Sequence, residues 1–275
     1  MLKKFALAAT AALALAACGK NSTDTLAASG TAAVSQDASL IDRINQKGTI
    51  TIGTEGTYAP FTYHDESGKL TGYDVEVTRA VAEKLGVKVD FKETQWDAML
   101  AGLDAKRFDI VANQVSLTTP ERQAKYDKSE PYSWSGPAAL ARKDDNRLKS
   151  WADLKGLDAA QSLTSNYREM AEKYGAKITG VDGMAQAIEL VKQKRVDLTL
   201  NDNLAILDYL KKHSDSGLEI KLVADKSELL GSGLIFRKGE DAAVAKVNEA
   251  MTELKKDGTL KKLSEQFFGE DISVQ

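Results

Sequence analysis

The sequence predicts an α/β fold of two lobes, each a mostly parallel sheet flanked by helices. Two series of alternating strand and helix patterns run along the 275 residues, and this alternation is typical of parallel strands joined by helical crossovers. A segment rich in turn-forming residues, 131–137, separates the two series. The triplet Gly231-Ser232-Gly233 ends the second series, so the tail that follows it is expected to dock as an extra piece.

The start of the chain resembles a bacterial lipoprotein signal. Two lysines precede an apolar run that ends at Cys18, and this run is shorter than the ~20 apolar residues of a membrane-spanning helix. The string Leu15-Ala16-Ala17-Cys18 resembles a lipobox, in which cleavage leaves a lipid-modified cysteine. We therefore predict a signal peptide over 1–17 and a lipidated flexible tether over 18–38. The alternative is an ordinary signal peptide with an unrelated cysteine.

The first series begins just after this tether. Ser39 is predicted to cap a short helix that stops at Gly48, and Thr49-Ile50-Thr51-Ile52 alternates as a strand does. Asp74 is predicted to cap the next helix, which ends at Gly86. A strand, a helix and a strand complete the series, over Val87 to Phe91, Trp96 to Leu103 and Phe108 to Val111.

The second series follows the turn-rich segment. Its apolar periodicity predicts two helices, a strand, a helix, a strand, a helix and a strand, over 151–154, 166–173, 177–181, 184–191, 196–200, 204–210 and 219–224. After the glycine pair, Val244, Val247, Met251 and Leu254 form one more helical stripe, which ends near Gly258.

Composition excludes several classes of function. The formal net charge is −3, and loss of the two signal lysines would make the mature chain more acidic, which argues against a nucleic-acid partner. Cys18 is the only cysteine, so we expect no disulfide, cysteine nucleophile or thiolate metal site in the body. The two histidines, His64 and His213, lie in different predicted segments. We therefore expect no metal, no cofactor and no Ser-His-Asp catalysis.

Arg122 stands out because of its position in a predicted helix. Thr119 suits the N-cap and Pro120 the first turn, so Arg122 would lie where the helix dipole disfavours a cation. Such a placement is reasonable if an anion binds between the guanidinium and the free N–H groups. The alternative is a solvated arginine that pairs with Glu121 or Asp127.

Four strings of the sequence resemble one family, the extracytoplasmic solute-binding proteins that deliver polar amino acids to ABC importers. These strings are 52–61 (IGTEGTYAPF), 72–77 (GYDVEV), 119–122 (TPER) and 257–260 (DGTL). The resemblance runs from about Gly48 to Phe268. It implies the two-lobe periplasmic-binding-protein fold of type II, in which two crossing hinge strands join the lobes.

The resemblance also implies where the lobes and hinges lie. Lobe 1 would comprise 39–133 and 234–275, and lobe 2 would comprise 137–230. The hinges would lie near 133–137 and 230–234, which are the two breaks in the strand and helix pattern.

Within the family pattern, three charged residues are expected to bind the ligand's head. Arg122 would bind the α-carboxylate bidentately. Asp202 matches the acid that binds the α-amine, at a strand-to-helix junction in the second lobe; the alternative is a plain N-cap, and one carboxylate can do both. Glu55 matches a second acidic position, with a surface loop acid as its alternative.

Several neutral residues complete the expected pocket. Trp96 would place a flat apolar side chain against the ligand, although its spacing suits the helix core equally, and Tyr58 would pack opposite it or prop its loop. Asn113 and Gln114 follow a strand and would supply polar groups.

Two segments depart from the common family pattern. The stretch between Val115 and Arg122 is one residue longer than usual, so either Ser116 or Thr118 would contact the carboxylate. In the second lobe, Ser165, Asn166 and Tyr167 match a turn that offers backbone N–H groups to the carboxylate, and Thr164 stands where glycine is usual.

The strings Asn113-Gln114-Val115, Ser165-Asn166-Tyr167 and 201–205 look most like the cystine-binding branch of the family. The resemblance thus implies a monomeric, lipid-anchored binding protein in the periplasm or at the cell surface. It would bind cystine, cysteine or a related sulfur amino acid and deliver it to an ABC permease in the inner membrane. The alternatives are a binder of another polar amino acid, a dehydratase on the same fold, or a sensory module.

Overall fold

The computed structural model describes residues 39–275. The predicted signal peptide, the tether and the lipid site Cys18 lie outside this range, so they stay predictions. No helix in this range combines the length and the apolar character that crossing a bilayer requires.

The described part of the chain alternates between helices and strands. The helices are α1 (Leu40–Lys47), α2 (Tyr73–Lys84), α3 (Trp96–Asp104), α4 (Pro120–Lys125), α5 (Asn166–Lys173), α6 (Met184–Lys192), α7 (Asn203–Lys212), α8 (Asp241–Lys256) and α9 (Thr259–Phe268), with short 3₁₀ helices at Trp151–Leu154 and Lys226–Glu228. The strands are β1 (Thr49–Thr54), β2 (Thr57–Tyr58), β3 (Thr62–His64), β4 (Leu70–Thr71), β5 (Lys88–Glu93), β6 (Ile110–Val111), β7 (Tyr126–Lys128), β8 (Ser133–Ser135), β9 (Pro137–Arg142), β10 (Asp158–Gln161), β11 (Lys177–Gly180), β12 (Leu198–Asp202), β13 (Leu218–Val223), β14 (Leu230–Ser232) and β15 (Ile235–Arg237).

Two five-stranded sheets form the centres of two lobes, and both sheets are mixed. The first has the order β5-β1-β6-β15-β7, with β1 parallel to β5 and β6 and β15 antiparallel to β6 and β7. The second has the order β11-β10-β12-β9-β13, with β10 parallel to β11 and β12 and β9 antiparallel to β12 and β13. The prediction of mostly parallel sheets is confirmed, since β15 and β9 are the single antiparallel strands of the first and second sheet. Each of the two follows a strand, β14 or β8, without a helical crossover.

We call the elements packed on the first and second sheets the first and second lobes. The chain passes between them at β8 and β14, which pair antiparallel with Ser133 opposite Ser232. After β14 the tail docks on the first lobe. There β15 joins the sheet, and Met251 and Leu260 pack in the same core cluster as Ile52.

Two predicted helix caps, at Ser39 and Thr119, are confirmed. The Ser39 hydroxyl accepts the N–H of Asp42 at the start of α1, which ends at Gly48 in the left-handed conformation. Thr119 and Ser165 cap α4 and α5 in the same way. These caps satisfy N–H groups that a helix cannot pair internally.

The prediction that Asp74 caps α2 is wrong. The helix begins at Tyr73, with Gly72 as the N-cap at a φ of 122°. A Cβ at Gly72 would lie 2.3 Å from the carbonyl oxygen of Phe61, so this position requires glycine. Asp74 is fully buried in the first turn, where its carboxylate accepts hydrogen bonds from Gln114.

Sequence patterns missed β7 and β15 of the first sheet, β9 and β10 of the second sheet, the short strands β2, β3 and β4, and one helix. The strands β9 and β10 are alanine-rich and contain no β-branched residue, so they lack the usual strand signal. The helix α9 follows Gly258, which we expected only as the end of the preceding helix.

Candidate functional site

A small polar cavity lies between the two lobes. The volume that the centres of water molecules can occupy in it is about 40 Å³, which is enough for a few water molecules. It is lined by Glu55, Tyr58, Trp96, Asn113, Gln114, Ser162, Ser165, Asn166, Tyr167, Gly183, Met184 and Asn201.

The structure brings most of the predicted binding residues to this cavity. The predicted residues in its lining are Glu55, Tyr58, Trp96, Asn113, Gln114, Ser165, Asn166 and Tyr167. The predicted residues outside the lining are Ser116, Thr118, Arg122, Thr164 and Asp202.

Arg122 is buried directly behind the lining, with 5% of its surface exposed. Its guanidinium donates to the carbonyl oxygen of Ser116 at 3.1 Å and to that of Thr164, in the other lobe, at 2.7 Å. It also lies 5.6 Å from the ring centre of Trp96, which lines the cavity. The cation is therefore held between backbone carbonyls and an aromatic face.

The alternative of a solvated Arg122 paired with a neighbouring acid is wrong. Glu121 pairs instead with Lys125 at 2.9 Å, and Asp127 pairs with Lys238 at 2.6 Å. Arg122 forms no ion pair within the described residues, and burial lowers the pKa of its guanidinium. Because a buried cation is costly without a counter-charge, this position favours an anion.

Asp202 is buried at the strand-to-helix junction of the second lobe, with 3% of its surface exposed. One carboxylate oxygen accepts the N–H of Leu204 at 2.9 Å, so Asp202 is an N-cap. The other accepts the hydroxyl of Ser135. Burial raises the pKa of Asp202 to about 6, although the Ser135 hydrogen bond opposes this shift.

Glu55 and Asn113 hold each other at one side of the cavity. The amide Nδ2 of Asn113 donates to the Glu55 carboxylate at 2.6 Å, and its Oδ1 accepts the backbone N–H of Glu55 at 2.8 Å. Burial and, to a smaller extent, the nearby Asp97 raise the pKa of Glu55 to about 7, although the hydrogen bond from Asn113 opposes this shift. Glu55 is thus a half-buried lining residue rather than a surface loop acid.

Trp96 begins α3 and belongs to the lining, whereas Met99 and Leu103 on the same helix are fully buried in the core. Its indole Nε1 is buried and has no hydrogen-bond partner among the described residues. Buried donors are normally paired. The indole N–H is therefore available to a polar atom in the cavity.

Contacts between the lobes close the cavity on two sides. The Tyr58 hydroxyl donates to Oδ1 of Asn201 across the cleft at 2.6 Å. The Asp97 carboxylate accepts the N–H groups of Leu163 and Thr164 at 3.2 and 2.8 Å, and the Thr164 hydroxyl at 2.7 Å. The turn before α5 is therefore held by Asp97 and, through the Thr164 carbonyl, by Arg122.

The structure separates the two candidates for the carboxylate contact on the first lobe. Ser116 is buried beside Ser232, at 3.2 Å between hydroxyl oxygens, and its carbonyl holds Arg122. Thr118 is exposed and lies outside the cavity lining. Of the two, Ser116 lies nearer to the site.

Sequence reasoning missed four lining residues, Ser162, Gly183, Met184 and Asn201. Ser162 follows β10, Gly183 is the N-cap of α6 and Met184 its first residue, and Asn201 lies near the end of β12. The rule that ligands bind at the carboxyl ends of parallel strands points to all of them. The rule did not lead to Ser162, because no sequence pattern predicts the strand β10 that precedes it.

The buried acids predict a pH dependence for the ligand-free protein. Burial raises the pKa of Glu55 and Asp74 to about 7 and that of Asp202 to about 6. The folded state therefore binds these protons more tightly than the unfolded chain, and the stability they contribute is lost as the pH rises through 6 to 7. Each pKa unit corresponds to about 1.4 kcal/mol.

We expect the melting temperature without ligand to fall between about pH 4 and pH 7, as measured by calorimetry. The variant Asp202→Asn should show a shallower fall because it lacks one of the three buried carboxylates. A melting temperature that rises over this interval would contradict the assignment.

Within residues 39–275, no group of three or more His, Cys, Asp or Glu side chains could hold a metal ion. The cavity lining offers neutral polar groups, an indole face and the carboxylate of Glu55, with the buried guanidinium of Arg122 and carboxylate of Asp202 outside the lining. Such a set suits a small zwitterion with further polar groups.

Comparisons with known proteins agree on one family. The model of the bacterial extracellular solute-binding proteins, family 3, matches residues 50–270. The L-cystine-binding protein TcyA of Bacillus subtilis is 53% identical over 239 residues, which are 86% of this chain and 88% of that protein.

Solved structures of similar chains differ in how well they superpose. The L-cystine solute receptor of Neisseria gonorrhoeae, in its unliganded open conformation, is 68% identical and has a TM-score of 0.59, covering 86% of this chain and 100% of its own. An ancestral arginine-binding protein bound to glutamine is 36% identical, yet its TM-score is 0.75, covering 81% of this chain and 99% of its own.

Proposed function

Because this chain belongs to the bacterial extracellular solute-binding proteins, family 3, we propose that it binds cystine or a related sulfur amino acid for an ABC importer. The observation that carries the proposal is that a buried arginine, Arg122, and a buried aspartate, Asp202, both lie next to residues that line one polar cavity. The identity to two cystine-binding relatives, 53% and 68%, supports the choice of ligand.

The two buried charges suit the two ends of an amino-acid head. Arg122 has no carboxylate partner among the described residues, and its planar fork matches a carboxylate in two parallel hydrogen bonds. Asp202 accepts hydrogen bonds from Leu204 and Ser135 and also interacts with the N–H of Ala205 and the hydroxyl of Tyr167, so an ammonium N–H would take the place of one of these donors. We propose that these two residues orient the ligand.

Cystine has a second amino-acid half, which also needs polar partners. The cavity offers the carboxylate of Glu55 and the amides of Asn113, Gln114, Asn166 and Asn201. An apolar side chain would leave several of these groups unpaired, at a cost in affinity. We infer that a long polar ligand is preferred over a short or aliphatic one.

Binding requires the lobes to separate and close again. Residues of both lobes line the cavity, and the hydrogen bond between Tyr58 and Asn201 crosses the cleft, so a ligand can enter only when the lobes separate. The more identical relative, an open form, superposes less well than the more distant one bound to glutamine, as expected if lobe arrangement rather than sequence sets the score. We propose that β8 and β14 are the hinges between lobe 1 (39–133 and 234–275) and lobe 2 (137–230).

The cellular setting is also part of the proposal. We propose that the protein is a monomer on the outer side of a bacterial membrane, anchored by lipid on Cys18 and delivering its ligand to a permease. We further propose that it is a binder and not an enzyme. Another polar amino acid as ligand, a dehydratase and a sensory module remain as outcomes of the test below.

Cystine is expected to raise the melting temperature of the purified mature protein. Ligand at about 100 times its Kd should add roughly 2.7 kcal/mol of stability, and small-angle scattering should show compaction. Glutamine, histidine and arginine at equal concentration serve as comparison ligands. If one of them stabilises the protein while cystine and cysteine have no effect, the assigned ligand is wrong. If no amino acid has an effect, the dehydratase or sensor becomes the better explanation.

A further inference from the structure

Asp74 is a fully buried acid that takes no part in the recognition described above. It lies in the first turn of α2, behind the cavity wall. Gln114 donates a hydrogen bond to each of the two carboxylate oxygens of Asp74, and the hydroxyl of Tyr132 lies close to the same carboxyl group. The backbone N–H of Gln114 donates to Oδ2 at 2.7 Å, and Nε2 of its side chain donates to Oδ1 at 2.7 Å.

Gln114 needs such a partner because its backbone conformation is disfavoured. Its φ is +49°, in the left-handed region that residues with a Cβ seldom adopt. This turn follows β6 and brings the side chains of both Asn113 and Gln114 to the cavity. The hydrogen bond to Asp74 holds the peptide N–H of this turn in place.

Asp74 also decides which way the Gln114 carboxamide faces. Both oxygens of Asp74 act as acceptors towards Gln114, so the NH₂ group of the Gln114 side chain points towards the acid. The carbonyl Oε1 then faces the opposite way and accepts the hydroxyl of Ser133 at 3.0 Å. Ser133 is the first residue of β8, one of the two strands that pass between the lobes.

We propose that Asp74 is a positioning residue for ligand binding, which acts through Gln114 and through its link to β8. It fixes the turn that presents Asn113 and Gln114, and it leaves one N–H and one lone pair of the Gln114 carboxamide free towards the cavity. The inference rests on the proposed function, since it assumes that the cavity takes an amino acid.

Two variants and their combination test this inference. Asp74→Asn replaces one acceptor with an NH₂ group that faces a donor of Gln114, so cystine affinity should fall at least about tenfold by calorimetry. In Asp74→Asn/Gln114→Glu the polarity of the pair is exchanged. The new amide donates to the new carboxylate, which still accepts from Ser133, and the affinity should recover at least about threefold over Asp74→Asn alone.

The matched control is Glu76→Gln, two residues further along α2, where the side chain is partly exposed and pairs with Arg79. Its cystine affinity should stay within about twofold of wild type. Circular dichroism and the ligand-free melting temperature establish that each variant is folded.

Two results would overturn the inference. One is an affinity of folded Asp74→Asn within about threefold of wild type. The other is a double variant whose melting temperature recovers while its affinity stays at the level of Asp74→Asn. If wild type does not bind cystine, the proposed ligand is wrong, and this result does not bear on Asp74. The same variants are then measured with whichever amino acid wild type binds.

Discussion

Replacing Arg122 with alanine is expected to weaken ligand binding by about 2–5 kcal/mol, roughly 30-fold or more. The guanidinium is buried, and it has no ion-pair partner within the described chain. In the variant, a ligand carboxylate in this region would be desolvated and would have no buried cation among the described residues to pair with. Isothermal titration calorimetry with cystine measures the effect directly.

The same change at an exposed arginine provides the control. Arg107→Ala removes a cation from the surface of the first lobe and should leave the affinity within about twofold of wild type. Arg122→Lys keeps the charge but loses the planar fork, so intermediate binding is expected. If Arg122→Ala binds within about threefold of wild type, Arg122 does not contact the ligand and the site has been misplaced.

Asp202→Asn is expected to weaken binding by at least about 2 kcal/mol while leaving the ligand-free fold nearly unchanged. The new amide oxygen can still accept the N–H of Leu204, and its NH₂ can donate to the Ser135 hydroxyl. What is lost is the buried negative charge that would face an ammonium group. Calorimetry gives the affinity, and the melting temperature without ligand gives the stability.

A second Asp→Asn change separates this effect from a general loss of charge. Asp215 is exposed in the loop after α7, so Asp215→Asn should alter neither affinity nor stability measurably. The opposite pattern for Asp202→Asn, with lower stability and retained affinity, would mean that Asp202 is a plain helix cap.

Much of the site follows from where strands end in the sequence. Glu55, Asn113 and Asp202 each lie at or just after a strand, and parallel strands gather such residues at one edge. Ser162 lies in an equivalent place but follows an alanine-rich strand that carries no propensity signal. The prediction of lining residues therefore failed at β10, a strand whose residue types carry no strand propensity and whose formation depends on burial in the sheet.

The sequence by itself determined the types of the elements that its apolar patterns marked, the caps at Ser39 and Thr119, and the inventory of charged and polar groups. Only the tertiary structure decided that Arg122 is buried without a carboxylate, that Asp74 supports Gln114, and that Tyr58 meets Asn201. The physical reason is the sequence separation between the residues that interact. Caps and helical stripes depend on residues within about four positions, whereas the partners of Asp74 and Tyr58 lie 40 and 143 positions away, and only packing of the whole chain brings them together.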